Sequence, residues 1–502
     1  MKKLFFCLVL LCLCLTGCGR SNTLVYGTED YTRINPAMDE RREIDLLLFD
    51  GLTDHDGNNQ IVPRLAERWD YDAESLTYTF YLAKNVKWHD GKPFTAEDVK
   101  FTFDAIRDEE NRSYHAPDFE DVAEITVLDE HTVSIRLSAV NVAFLDYTTM
   151  PILPKHCLQG ENWQDSDFFF EPVGTGPYRL TDWDKGEDIT LKRNKNYFAG
   201  PANIRKIIFQ IVPDEAERFE QLLAGDLDLA QISPKEMGEE TPVVLYTMAT
   251  ADYRGLLFNF RNPYWRHHAD LIPALSYAID RQAIVDTVLL GAGEPAYSPL
   301  QRNVYNYDKA EPYHYDPDKA QMLLGECGCE LDGQGFWSRN GHRIGFAINV
   351  EAGDSLQREL AQMVAQQLGE IGIEVWVQAP AEGIDWYGQQ CCIIEQGSPF
   401  DADDHTYKVF ATDKGHNASG YSNEEVDACL TKARQSGSKA ERAAAYAEFQ
   451  TALSKKPAYT YLCYLDVIYG AIPELKGIAP DTLLGHKGMG IFWNVCEWEK
   501  VP

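Results

Sequence analysis

Basic charge is scarce in this chain of 502 residues. Its 46 Lys and Arg stand against 78 Asp and Glu, a net charge of −32. No basic block offsets the imbalance, so phosphates are repelled and nucleic acid is excluded as a partner. Nucleotide signatures are missing as well: there is no G-x-x-x-x-G-K-[ST] loop and no G-x-G-x-x-G opening a helix after a strand. H-E-x-x-H and G-x-S-x-G are absent, so the local marks of zinc peptidases and nucleophile-elbow hydrolases are not here. No C-x-x-C serves zinc or redox chemistry. The apolar run Leu4–Leu15 is too short to hold a bilayer-spanning helix, and no run of about twenty apolar residues follows it.

That first run belongs instead to a processing signal. Lys2 and Lys3 give it a positive start, and it ends in Leu15-Thr16-Gly17-Cys18. Small residues before a cysteine are what a bacterial lipoprotein peptidase cuts. Residues 1–17 are therefore expected to be removed and Cys18 to carry lipid. Each buried CH₂ contributes about 0.8 kcal/mol, so several acyl chains anchor firmly where one does not. The expectation is a soluble body tethered to the outer face of the cytoplasmic membrane, in the periplasm if the cell has an outer membrane. Beyond Cys18, eight cysteines are scattered without a disulfide framework, with Cys391 and Cys392 adjacent, and free thiols are expected.

Aromatic residues make up 12% of the chain, which suits a folded body with stacking surfaces. Its length calls for two or three lobes. Leu76–Leu82 alternates like a half-buried strand, and Thr95 with Asp98 forms a capping box opening a helix. Strands are expected at 24–27, 125–137, 188–193, 206–212 and 226–230, and helices at 41–49, 215–224, 272–290, 356–371 and 441–453. A helix from the Ser422-Asn423-Glu424-Glu425 capping box is expected to run through Lys432. Strands and helices mixed throughout indicate an α/β architecture.

Four stretches carry a resemblance. Asp50-Gly51-Leu52 leads through Pro63–Trp69 to Val86-Lys87-Trp88-His89-Asp90-Gly91-Lys92-Pro93-Phe94-Thr95-Ala96-Glu97-Asp98-Val99. Then follow Pro172–Tyr178, Ala274–Arg281 and Gly420–Asp427. In this order they resemble the family 5 extracellular solute-binding proteins, which serve ABC importers of oligopeptides, dipeptides and nickel chelates. The resemblance implies a two-lobed periplasmic-binding-protein-like fold of type II with an extra α+β domain. Lobe I would combine 22–57, 173–260 and 470–502; the extra domain would be 58–172, and lobe II 261–469. It further implies a monomer with no cofactor and no catalytic role, closing on a small peptide and docking on permease subunits that work with a separate ATPase. Trp88-His89-Asp90-Gly91 and Gly174-Thr175-Gly176 are then structural turns.

The remaining segment of interest, Pro399–Phe410, reads PFDADDHTYKVF. It aligns with the family segment in which an Asp pairs with a peptide's α-ammonium, because a cleft closing on a cation must supply the opposite charge. Asp403 matches that Asp, with Asp401 and Asp404 as rivals and His405 and Tyr407 on the same wall. The family's Gly-Trp is Glu395-Gln396 here, so Trp386 or Tyr387 would replace the aromatic wall. The family's Val-Arg is Leu271-Ile272-Pro273, which removes a positive charge. Glu29, Asp30 and Tyr31 match a loop that touches ligand backbone in peptide binders. Two alternatives stay open. A nickel chelate would be held through His405 or His416, the adjacent His267 and His268 reading as a surface pair. A secreted hydrolase would use the 401–405 cluster.

Overall fold

Thr23–Thr28 pairs in parallel with both Lys206–Ile211 and Leu229–Ile232 and seeds the main sheet. From Lys206–Ile211 the sheet continues antiparallel through Asp188–Arg193 to Tyr178–Asp184. On the other side Leu229–Ile232 meets Tyr459–Ala471, which lies antiparallel to Val244–Phe258. Beyond these come Cys391–Gln396, Gly345–Asn349 and Glu374–Gln378, and Gly293–Pro295 pairs with Tyr459–Ala471 as the eleventh strand. This computed structural model describes residues 22–236 and 241–501; Cys18 and the processing signal lie outside the described residues. None of the described helices is long and apolar enough to cross a membrane.

The two longest strands decide the architecture. Val244–Ala249 pairs with Asp466–Ala471, the ladder breaks, and pairing resumes at Tyr253 opposite Tyr464. Residues 250–252 bulge out, and a bulge locally adds twist and bend. Each strand thus serves one half of the molecule before the bulge and the other half after it. The expected breaks at 260/261 and 469/470 fall near strand ends, whereas the sheet changes halves in mid-strand. The apolar cores divide in the same way. One gathers Leu24, Phe209, Phe80 and Phe103; others gather Leu256, Phe346 and Leu360, or Tyr253, Phe410 and Phe449. The first core also covers a separate four-stranded antiparallel sheet, ordered Ala66–Asp72, Thr77–Leu82, Thr132–Leu137, Val122–Asp129. Helix Ala96–Arg107 packs on that sheet and carries the expected capping box of Thr95 and Asp98. The result is the expected α/β fold of two halves plus an extra α+β unit.

Two helices are shorter than their patterns suggest. Of 41–49 only Asp45–Leu48 is helical, and the Asp45 carboxylate accepts from the Arg42 amide at 2.8 Å in the turn that precedes it. The stretch 272–290 splits into Ile272–Tyr277 and Arg281–Thr287, because Asp280 accepts from the Ala283 amide at 3.0 Å and starts a new helix. Helix Glu424–Gln435 is capped by Asn423, not Ser422. The eight described cysteines are all unbonded thiols.

The turn motifs of the sequence converge on one junction between the first half and the extra unit. His89 Nε2 lies 3.0 Å from the Gly176 carbonyl, and its Nδ1 accepts from the Gly174 amide at 3.1 Å. Thr175 and Tyr197 donate to the two oxygens of buried Asp50 at 2.9 and 2.7 Å. A Cβ on Gly174 would stand 1.8 Å from the Leu48 carbonyl oxygen. Gly174→Ala should therefore cost about 1–3 kcal/mol of overpacking strain in urea unfolding. Burial holds the His89 pKa down at about 4, below its ordinary 6.5. A group depressed in the folded state contributes stability that is full above the unfolded pKa and lost as pH falls through the folded one. Urea midpoints should fall between pH 6.5 and 4, and His89→Gln should flatten that part of the profile.

Candidate functional site

Strand Cys391–Gln396 runs toward the bulge and ends at Gly397, whose φ of 132° and close approach to the Ala251 carbonyl exclude a side chain. The chain leaves the sheet there and enters the acidic segment. Asp401 accepts from the Asp403 amide at 2.9 Å and caps the short 3-10 turn Ala402–His405. A tight turn sends successive side chains in different directions, so the three acids meet three different partners.

Asp403 is 1% exposed. Its Oδ2 accepts from Arg434 Nη2 at 2.8 Å, Arg434 Nε at 3.0 Å and the Tyr147 hydroxyl at 2.7 Å. Burial pushes its pKa up, and Arg434 offsets this only in part. Asp401 forms a two-pronged pair with Arg442, both contacts at 2.6 Å. Asp404 pairs with Lys408 at 2.7 Å, and Lys408 also reaches Asp118 at 2.5 Å. Burial alone would raise Asp404, but Lys408 outweighs it and holds the carboxyl below its usual range. An ammonium clamp at Asp403 would have to take the carboxylate from Arg434 and Tyr147.

Other contacts of the same side chains bridge two parts of the molecule. Asp118, Glu120, Asp121 and Tyr147 belong to the extra unit, and Lys408, Lys414 and Arg434 to the far half. Lys414 reaches Glu120 at 3.0 Å, and Arg434 reaches Glu120 at 3.0 Å and Asp121 at 3.2 Å. The His55 ring stacks on Phe400 with centroids 3.8 Å apart, and His55 Nε2 lies 3.0 Å from Asp146. The acidic segment is thus one side of a closed seam.

The back of the seam is built at the bulge. Asp252 and Arg254 pair there, and Arg254 also lies 3.6 Å from Glu395. His486, from the C-terminal segment, lies 3.0 Å from Asp252 through Nδ1, off the line of a hydrogen bond, and 3.3 Å from Glu395 through Nε2. Burial would lower its pKa, but the two carboxylates raise it to about 9, so it is an imidazolium at neutral pH.

One charge in the seam is unmatched. Arg41 stands where the N-terminal loop, Thr149 of the extra unit and Asp404 converge. Its Nη1 lies 3.4 Å from the Thr149 hydroxyl, and its Nε is sealed from solvent without an acceptor. Asp45, Asp54 and Asp404 are near enough to favour its charge, yet among the described residues no carboxylate is in ion-pair contact with it. Burial consequently lowers its pKa.

The other expected residues scatter. Tyr407 lies on the seam, under the Arg434 guanidinium at 3.8 Å and Lys414 at 4.9 Å. His405 is buried, with Nε2 3.2 Å from the Pro299 carbonyl, and burial lowers its pKa. His416 stacks near Tyr114, the centroids 4.6 Å apart. Trp386 and Tyr387 precede the strand Cys391–Gln396, at its end away from the seam, and Tyr387 is 77% exposed. Glu29 and Asp30 are exposed just past Thr23–Thr28, and Tyr31 is buried beneath the Arg42 guanidinium at 3.7 Å. His267 and His268 sit on helix Pro263–His268, His268 stacked on Tyr264. Among the described residues the one triad with metal-ligand proximity is Asp90, His156 and Cys157, which includes none of the histidine candidates.

Sequence reasoning missed Arg434, Arg442, Arg41 and His486. Arg434 and Arg442 carried a signal: Arg434 continues the apolar face of Val426 and Leu430, and Arg442 that of Ala445, Tyr446 and Phe449, at helical spacing, which a solvent-facing Arg does not do.

A sheet shared by two halves, a bulged crossover and a charged closing seam define a two-lobed binding protein that encloses its ligand. Residues 60–406 match the model of the bacterial extracellular solute-binding proteins, family 5 Middle. Protein XP55 of Streptomyces lividans is 31% identical over 481 residues, covering 92% of this chain and 87% of that protein. The oligopeptide-binding protein AppA of Bacillus subtilis is 27% identical over 493 residues, with the same two coverages of 92% and 87%. Among solved structures, NikZ of Campylobacter jejuni in complex with Ni(L-His) has a TM-score of 0.88 and 34% identity, covering 96% of this chain and 100% of that one. The chain belongs to the family 5 extracellular solute-binding proteins.

Removing one partner of a buried pair leaves an uncompensated charge, at about 3–5 kcal/mol. Asp403→Asn and Arg434→Met should each destabilise by that order. The double variant should lose less than the sum of the two, read as a coupling energy in chemical unfolding.

Proposed function

We propose that this chain is the substrate-binding component of an ABC importer, capturing peptides in the seam between its halves. The loaded, closed form is presented to a membrane permease that works with a separate ATPase. Family membership and the likeness to an oligopeptide-binding relative support this reading. The Leu15–Cys18 motif supports lipid anchoring through Cys18 on the outer face of the membrane, with the body acting as a monomer.

A single observation carries the ligand chemistry. Arg41 has no acceptor on its Nε and, among the described residues, no carboxylate in ion-pair contact. A peptide's C-terminal carboxylate would match it, whereas Asp404 is already held by Lys408. In this reading Asp403 with Tyr147 and Lys408 with Asp118 hold the closed form, and Tyr407 lines the wall with Tyr114. Glu29 and Asp30, exposed past the end of Thr23–Thr28, are free to meet ligand backbone. The hydrolase alternative gains no support, because each acid of the cluster is ion-paired.

A nickel–amino-acid chelate is the second reading, favoured by the 34% identity to a protein bound to Ni(L-His). Its carboxylate would also suit Arg41.

Melting curves with a short peptide, its C-terminal amide, and nickel with L-histidine separate the readings. The free peptide should raise the melting temperature and be recovered uncleaved. Arg41→Gln should weaken it about tenfold or more and leave the amide unaffected. Stabilisation by nickel-histidine and by no peptide would overturn the peptide reading.

A further inference from the structure

A cavity of about 280 Å³ lies inside the far half, between segment 297–314 and the C-terminal end of helix Lys439–Lys455. Pro299 forms part of its wall, and the Pro299 carbonyl meets His405 on the other side, so the cavity backs onto the seam without being part of it. Its volume is close to the lower end of ordinary small-molecule sites.

The chemistry of its lining is unusual. Arg281 is 3% exposed. Its Nε donates to the Tyr461 carbonyl at 2.7 Å, and its Nη1 is shared among the carbonyls of Ser276, Ile279 and Tyr313 at 3.1, 3.2 and 2.9 Å. Among the described residues nothing accepts from Nη2, and no carboxylate is in ion-pair contact with the guanidinium. Tyr461 also lines the cavity, its carbonyl holding Arg281 Nε, while its hydroxyl is sealed from solvent. Burial pushes the Arg281 pKa down to about 10, so it stays charged at neutral pH. A buried guanidinium without an anion is costly, and a bound anion would remove that cost. A guanidinium with a free N–H on a cavity is what a carboxylate fits.

The mouth has the opposite sign. Asp308 and Glu311 line it, both on the exposed stretch 306–311, and neither is in an ion pair among the described residues. Glu311 accepts only the Tyr277 hydroxyl, at 2.6 Å. A simple anion would have to pass these carboxylates on a chain of net charge −32. A zwitterion meets no such barrier. The walls between floor and mouth include the rings of Tyr297 and Tyr313, suited to an aromatic side chain. We infer that this cavity is a second ligand site, separate from the seam, for a free amino acid with a large apolar or aromatic side chain. Its carboxylate lies toward Arg281 and its ammonium toward Asp308 and Glu311.

Calorimetry on the full chain with L-phenylalanine tests this. L-Phenylalanine should bind. L-Phenylalaninamide, which lacks the carboxylate, and 3-phenylpropanoate, which lacks the ammonium, should each bind about tenfold or more weakly. Arg281 holds four backbone carbonyls, so its replacement risks the fold. Ser454→Phe, which fills the cavity from helix Lys439–Lys455, is the better variant. It should abolish L-phenylalanine binding while the seam ligand still binds. Arg41→Gln should leave L-phenylalanine binding intact. The inference is overturned if L-phenylalanine does not bind, if the amide binds equally well, if binding survives Ser454→Phe, or if it is lost with Arg41→Gln.

Discussion

The rest of the structure depends on the matching of charge across a seam that excludes water. A carboxylate or guanidinium taken out of solvent loses several kcal/mol of hydration and regains it only from a well-placed partner. Asp403 with Arg434, Asp401 with Arg442, and Asp404 with Lys408 and Asp118 satisfy that demand wherever the acidic segment meets the extra unit. Of these contacts, Lys408 with Asp118, Arg434 with Glu120 and Asp121, and the Tyr147 hydroxyl on Asp403 cross to the 118–147 region, so they report the closed arrangement. In an acidic chain the basic side chains are few, and several are spent here, which leaves the unmatched Arg41 all the more conspicuous.

The two strands that run from one half to the other share an interruption at 250–252. Hinge motion is carried by a few residues that absorb backbone change while the elements on either side stay rigid. Two antiparallel strands, each continuous from one half to the other, restrict the motion to bending about their shared interruption. The cluster of Asp252, Arg254, Glu395 and His486 fastens the C-terminal segment at that point. Ligand, seam and hinge therefore share one electrostatic environment. The family membership gives this geometry its role, and in the closed form each acid of the cluster is matched by a base.

The sequence motifs had a different fate from the one their chemistry suggests. Trp88-His89-Asp90-Gly91 and Gly174-Thr175-Gly176 meet each other, with His89 bonded to the glycine turn and Asp50 holding Thr175 and Tyr197. Their role is to set the extra unit against the first half. Strand and helix positions were legible because alternation, helical spacing and caps are local: Thr77–Leu82, Ala96–Arg107 and Ser355–Glu370 all lie where their patterns place them. The split of 272–290 was less legible, because an internal Asp competes with the helix only when the surrounding packing lets it cap.

What the sequence by itself determined is the α/β class, the family, the processing signal as an expectation, and the segment Pro399–Phe410 as a place where charge matters. All of these rest on contiguous residues. The tertiary structure decided the occupant of each charge. Asp403 and Arg434 are 31 positions apart, Asp403 and Tyr147 are 256 apart, and Lys408 and Asp118 are 290 apart. Whether an acid is free to meet a ligand depends on which base folds against it, and local patterning carries no information about partners that only chain folding brings together.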